Sequence, residues 1–408
     1  MREEAAALYR KRTAQVQETL VAQKLDGMVV IKPEHVRYLT GFWGYSTRTE
    51  YAMPRRLIAL IVPQRGNVTL IVPKIEFNFA HRRTWISDVR YHIEWRSSGT
   101  EVFGGVALLD QVMTEKAMHR GRVGLEAGFL SSRIVTILKE HFAGVQFEEA
   151  ASIIERLRMI KSPEEIAMMR VGAKMAIAEL DVEVAAIRSG VREYEIAMAG
   201  REEATRLAAE YSIAHEDYDV MPLDHPINEA VQIITSGERL DMVHALASTR
   251  VIDDGDIVLL DFCRVPQLGN YRIGFSRNAA LRQLTAPERE MFAIVMRSYD
   301  AALEVLKPGA PAEQPDLVAR EILDRQGLGD TFVHRTGRGV GLEGVERPEI
   351  GAGDKTPLQP GMVVTIEPSV YFKNFAIHVE DTYLITEYGH ECLTACPREF
   401  RILDDAKA

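Results

Sequence analysis

The chain has 408 residues, 46% hydrophobic and 26% charged, which is the composition of an ordinary globular protein with room for about two domains. Its net charge of −10, without any lysine or arginine block or aromatic–basic stripe, excludes nucleic acid as the expected partner. The longest apolar runs, such as Leu57–Val62, have strand length rather than membrane length, and the start Met1-Arg-Glu-Glu lacks an apolar signal core, so a cytoplasmic protein without membrane association is expected.

Residues 4–24 read as an amphipathic helix, followed by apolar strands over 27–31, 56–62 and 68–72. This pattern predicts a small α/β domain ending near residue 160. There Ser162 reads as an N-cap, Pro163 occupies the first helical position, and Glu165 closes a capping box three residues after the cap. A helix from Pro163 to about Ile187 is therefore expected to open a second domain, which divides the chain into 1–160 and 161–408. The sequence shows neither an internal repeat nor a low-complexity segment.

In the second domain, His244 stands 17 positions before Asp261, and Gly255-Asp256 introduces the apolar strand Ile257-Val-Leu-Leu-Asp-Phe-Cys263. A further strand is expected over Asn270–Arg277. Phe332-Val-His-Arg-Thr-Gly-Arg-Gly-Val-Gly-Leu342, Gly361-Met-Val-Val-Thr-Ile-Glu-Pro368 and Ile377-His-Val-Glu-Asp381 follow. The cysteines Cys263, Cys392 and Cys396 form no CxxC pair, so neither a disulfide nor a zinc knuckle is predicted and a reducing compartment fits. Cys263 reads as a small buried hydrophobe rather than a nucleophile.

Together with the Tyr38-Leu-Thr-Gly-Phe42 turn, these motifs resemble the creatinase/prolidase/methionine aminopeptidase family, whose fold is called pita-bread. The resemblance spans essentially the whole second domain. It implies an α/β protein with a small creatinase-like N-terminal domain and a C-terminal pita-bread domain, in which helices cover a curved antiparallel sheet. In that family's metallopeptidases two ions are held by an Asp in the first strand, an Asp in the next, a His in a Gly-His-Gly-x-Gly segment and two later Glu. Matched residue by residue, Asp261, Glu367 and Glu380 keep the first Asp and both Glu. Gly274 stands at the second Asp, Arg338 at the His, and Val345-Glu346 where a further His-Glu pair belongs.

Those losses lead to the expectation of no metal and no cofactor; if one ion does bind, Asp261, Glu367 and Glu380 are its expected ligands. Three converging carboxylates repel by about 4 kcal/mol per pair at an effective dielectric of 20. Arg338, permanently charged and able to grip carboxylates, is expected to fill the vacated volume. At least one of Glu367 and Glu380 should then share a proton, unless the substrate is itself cationic.

Creatinase, which is similar to this chain in keeping the fold without metal chemistry, implies a metal-independent hydrolase of a C–N bond in a small amidine, guanidino or amide compound. Ectoine hydrolases are a comparable branch. By this resemblance His244 shuttles the proton, Glu367 and Glu380 hold the C–N group, and Arg338 positions them. Ser276-Arg277 replaces creatinase's Glu-Arg pair, so creatine itself is not the expected substrate. His334, four residues before Arg338, and His378, on the strand face of Glu380 by the two-residue period, are expected to bind substrate beside Asp261. Arg55 or Arg56 would reach the partner subunit's site in a homodimer. Two other readings compete: a metal-dependent Xaa-Pro peptidase with a reduced metal site, and a non-catalytic binding module.

Overall fold

The structure is a computed structural model that describes residues 3–44, 56–94, 105–215, 232–262 and 266–403. Within these the chain forms two compact units that divide between Arg158 and Met159. Among the described residues no helix is long and apolar enough to cross a membrane.

Six strands make one sheet in the first unit: β1 (Gly27–Val30), β2 (Ala59–Pro63), β3 (Thr69–Pro73), β4 (Val89–His92), β5 (Gly121–Leu125) and β6 (Val145–Glu149). Their order is β4-β3-β2-β1-β5-β6, antiparallel at β1–β2 and β2–β3 and parallel elsewhere. β2 and β3 are buried along their whole length, as strands covered on both faces must be. On one face Val29, Ala59, Ile61 and Ile71 pack with Leu109, Val112 and Met113 of the helix Val106–Glu115 and Leu138 of the helix Ser132–His141. Arg56, expected to serve a partner's site, faces Glu94 of its own unit at 3.4 Å. Arg55 lies outside the described residues, as does Cys263.

The second unit opens with the helix Pro163–Ala186. Ser162 Oγ accepts the Glu165 N–H at 3.3 Å, and Glu165 Oε2 accepts the Ser162 N–H at 2.9 Å, so two of the helix's orphan donors are satisfied. Thr285 and Glu288 repeat the device at the helix Ala286–Val305.

Thirteen strands follow among the described residues: β7 (Ile233–Ser236), β8 (Ile257–Asp261), β9 (Pro266–Leu268), β10 (Tyr271–Arg272), β11 (Ser276–Ala280), β12 (Gly337–Gly339), β13 (Glu346–Ile350), β14 (Val363–Ile366), β15 (Ser369–Phe372), β16 (Phe375–His378), β17 (Asp381–Ile385), β18 (His390–Cys392) and β19 (Arg401–Ile402). One sheet runs β19-β11-β8-β7, another β13-β12-β14-β17-β18, and β9–β10 and β15–β16 form small hairpins. On β14, Val364 and Ile366 join a core with Val295 and Tyr299 of the helix Ala286–Val305 and Leu323 of the helix Gln314–Arg325. The alternate residues, Thr365 and then Glu367, face the opposite way, toward the pocket.

The two larger sheets of this unit meet around Ser276 and Glu380. Ser276 and Glu380 exchange backbone hydrogen bonds of 3.1 and 3.3 Å in an isolated bridge, and Ser276 also lies opposite Asp261 across β8 and β11. The strand expected over 270–277 is interrupted between β10 and β11, because Gly274 is bonded through the Thr382 hydroxyl: its N–H donates at 3.0 Å and its carbonyl accepts at 2.7 Å.

Candidate active site

Arg338 sits on β12 between Glu367 and Glu380 and is 2% exposed. Its Nη1 donates to Glu367 Oε1, to Glu380 Oε1 at 2.9 Å and to Thr365 Oγ1 at 3.2 Å, while Nε donates to the Gly344 carbonyl at 2.8 Å. The Thr365 hydroxyl donates in turn to Glu367 Oε1 at 3.0 Å. One guanidinium thus ties together two carboxylates that would otherwise repel.

The two acids respond differently. Burial pushes Glu380 up to about 8, with the negative charge of Glu367 adding to burial and Arg338 opposing it. Burial also pushes Glu367 upward, but Arg338, with His378 and His334, outweighs it and holds this carboxyl well below the usual range. Near neutral pH the pair therefore consists of an ionised Glu367 and a largely protonated Glu380.

His378, 3% exposed at the end of β16, lies between two carboxylates. Its Nδ1 is 3.8 Å from Asp261 Oδ2 and its Nε2 is 3.6 Å from Glu367 Oε2, both beyond hydrogen-bond reach. Among the described residues neither ring nitrogen has a hydrogen-bond partner, and Glu380 Oε2 has none either. Burial pulls the pKa of His378 down, but Glu367, Asp261 and Glu380 prevail and leave it raised.

His334 is fully engaged. Its Nδ1 donates to the Arg335 carbonyl at 2.8 Å, so its Nε2 is the acceptor of the Tyr371 hydroxyl, also at 2.8 Å. Burial lowers its pKa to about 4, and it is neutral. One donor atom each from His334, Glu367 and His378 lies within 4.8 Å of the others.

The structure therefore brings Asp261, His334, Arg338, Glu367, His378 and Glu380 together. His244 sits in an exposed turn ahead of β8, outside the donor group of His334, Glu367 and His378. Thr365 and Tyr371 escaped the sequence reading, although both share the two-residue spacing that leads to Glu367. Arg277 does not face the pocket. It bonds Asp381 at 2.7 Å and the carbonyls of Glu380 and Pro397, each at 2.9 Å.

The two-ion donor set implied by the family resemblance does not fit this pocket. Position 274 carries no carboxylate, and a Cβ there would lie 2.4 Å from Glu380 Oε1 and 2.3 Å from Thr365 Cγ2. At the position of the family histidine, Arg338 supplies a fixed positive charge already bonded to both glutamates.

Residues 167–387 match the family model for metallopeptidase family M24, and residues 12–160 match that for the creatinase/prolidase N-terminal domain. The chain is 30% identical over 380 residues to a Xaa-Pro dipeptidase of Pyrococcus furiosus, covering 92% of this chain and 95% of that one. The prolidase of Pyrococcus horikoshii superposes with a TM-score of 0.79 at 25% identity, over 96% of this chain and 99% of that one. A prolidase of Thermococcus sibiricus, at 23% identity and a TM-score of 0.82 over 97% and 99%, shares the fold. These matches overturn the expectation of a metal-independent hydrolase of a small non-peptide compound, since the matching family is one of metallopeptidases and the relatives are named for dipeptide cleavage. Loss of two ligand positions had suggested that metal chemistry was lost with them; the whole-length likeness does not support that step. The protein is a two-domain α/β hydrolase of metallopeptidase family M24, with a creatinase/prolidase N-terminal domain.

Proposed function

We propose that the protein is a metal-dependent peptidase that hydrolyses the bond before proline in Xaa-Pro dipeptides. The observation that carries this reading is the 30% identity to a Xaa-Pro dipeptidase across 92% of the chain. The pocket supports it chemically. Cleavage before proline expels a secondary amine, which must gain a proton to leave. Glu380, buried and pushed up to about 8, holds such a proton close to neutral pH. Arg338 keeps Glu367 ionised and locks both carboxylates in place, so it acts as a positioning residue. His244, exposed in the turn ahead of β8, takes part in this reading as a substrate contact. A homodimer is also part of it, and light scattering tests that state.

The test is release of free proline from dipeptides with divalent metal supplied. Hydrolysis of Ala-Pro and Leu-Pro at least about tenfold faster than Leu-Ala supports the reading, since a specific site discriminates by that factor or more. Failure to cleave any dipeptide, with folded and metal-loaded protein, overturns it.

A further inference from the structure

The geometry points to a single-ion site built from His334, Glu367 and His378, displaced from the ligand positions that Gly274 and Arg338 have lost. It deepens the peptidase reading and rests on its metal dependence. The three residues are the one group of histidine, cysteine and carboxylate side chains found among the described residues with donor atoms close enough to share an ion, all within 4.8 Å of one another.

A second, independent observation is the state of His378. It is 3% exposed, yet both ring nitrogens lack a hydrogen-bond partner among the described residues. Buried polar atoms are nearly always satisfied, so an orphaned imidazole requires an explanation such as a role in holding an ion. Its Nε2 stands 3.6 Å from Glu367 Oε2. That is too long for a hydrogen bond, but donors bound at 2.0–2.1 Å to a tetrahedral ion stand about 3.3 Å apart, so a few tenths of an ångström closes this pair, and closing the whole group, whose donors lie within 4.8 Å, takes a side-chain movement of up to about 1.5 Å.

The remaining contacts fit the same assignment. Arg338 and Thr365 both engage Glu367 through Oε1, so neither of these contacts uses Oε2, the oxygen nearer His378. On the far side of the ring, His378 Nδ1 faces Asp261 Oδ2 at 3.8 Å, longer than a hydrogen bond; closing that gap would give the order carboxylate, histidine, ion by which metal sites orient an imidazole. His334 donates through Nδ1 to the Arg335 carbonyl, so its lone pair is on Nε2, where the Tyr371 hydroxyl now donates. An ion would displace that hydroxyl. Two imidazoles and one carboxylate suit Zn²⁺, Co²⁺ or Fe²⁺ better than Mg²⁺ or Ca²⁺. The fixed charge of Arg338 on Glu367 and Glu380 leaves no place for a second cation.

The test is Co²⁺ titration of chelator-stripped full-length protein, read as bound equivalents and, by X-ray absorption, as the number of imidazole ligands. One equivalent with two imidazoles is expected. His334→Gln and His378→Gln should each weaken binding by at least about tenfold, whereas Tyr371→Phe, which removes the competing donor, should bind Co²⁺ no more weakly than the parent. Should either histidine variant fail to fold, the imidazole count on the parent protein decides alone. Two bound equivalents, an ion without imidazole ligands, or unchanged affinity in both folded histidine variants would overturn the site. Proline release by a protein whose ion has no imidazole ligands would overturn the site and spare the peptidase reading. Two-imidazole binding without dipeptide hydrolysis would support the site and sink that reading instead.

Discussion

Glu380 and Asp381 are neighbours in sequence and both fully buried, yet their carboxylates stand in opposite situations. Asp381 Oδ1 accepts from Arg277 Nη2 at 2.7 Å and Thr394 Oγ1 at 2.9 Å, and its Oδ2 accepts from the Tyr299 hydroxyl at 2.8 Å and Arg398 Nε at 2.7 Å. Arg277 spends its other donors on the carbonyls of Ser276, Glu380, Cys396 and Pro397. That cluster is closed. On the pocket side, Glu380 Oε2 and both nitrogens of His378 have no hydrogen-bond partner among the described residues. Each unsatisfied buried group costs about 1–3 kcal/mol, which a protein bears where the open valence has a use. The closed cluster holds the two sheets together, and the open one is left for chemistry.

The largest effect should come from opening the closed cluster. Arg277→Met leaves buried Asp381 with one of its two cations, Arg398, and strips four carbonyls of their donor, and urea denaturation should show a loss of about 3–5 kcal/mol; a loss under 1 kcal/mol would mean that Arg277 is not structural. Arg338→Met should cost less, about 2 kcal/mol, because Glu380 is already largely protonated and only Glu367 is left without its cation. The same variant should lose nearly all proline release, which separates the open cluster from the closed one.

Glu380→Gln keeps the shape of the protonated acid, so it should change stability by no more than about 1 kcal/mol at neutral pH. It should also remove a pH dependence. With its pKa raised from 4.5 to about 8, the folded chelated protein holds a proton that the unfolded chain has released. The stability from this group is therefore full below pH 4.5 and is lost as pH rises through about 8. Denaturation midpoints across that window should fall less in Glu380→Gln than in the parent, and equal slopes would refute the raised pKa. The smallest change in stability belongs to exposed His244: His244→Ala should stay within about 0.5 kcal/mol. Its kcat/KM should nonetheless drop about tenfold, and an unchanged value would remove His244 from the site.

Much of the frame was readable from local chemistry. The Ser162–Glu165 capping box declares its helix within four residues, and the strand runs Leu57–Val62 and Val68–Val72 declare themselves by apolar character interrupted only at Thr69. Arg338 could be read as the tie between Glu367 and Glu380 because its charge admits few other roles at that position. What could not be read is pairing at long range. Sequence alone set Arg277 beside Ser276 only as the counterpart of creatinase's Glu-Arg pair, whereas its partners Asp381 and Pro397 lie 104 and 120 residues away. Nor does spacing show that the Thr382 hydroxyl would break the strand at Gly274. The metal-free expectation went wrong by counting lost family ligands, because position-by-position matching does not register that His334 and His378 bring two imidazoles to Glu367.

The most direct test is a single titration in which bound divalent metal and proline release are measured on the same chelator-stripped samples. Release rising in proportion to bound ion and levelling at one equivalent per chain is the predicted result. Release that survives stripping, or that begins only as a second equivalent binds, would contradict a one-ion peptidase.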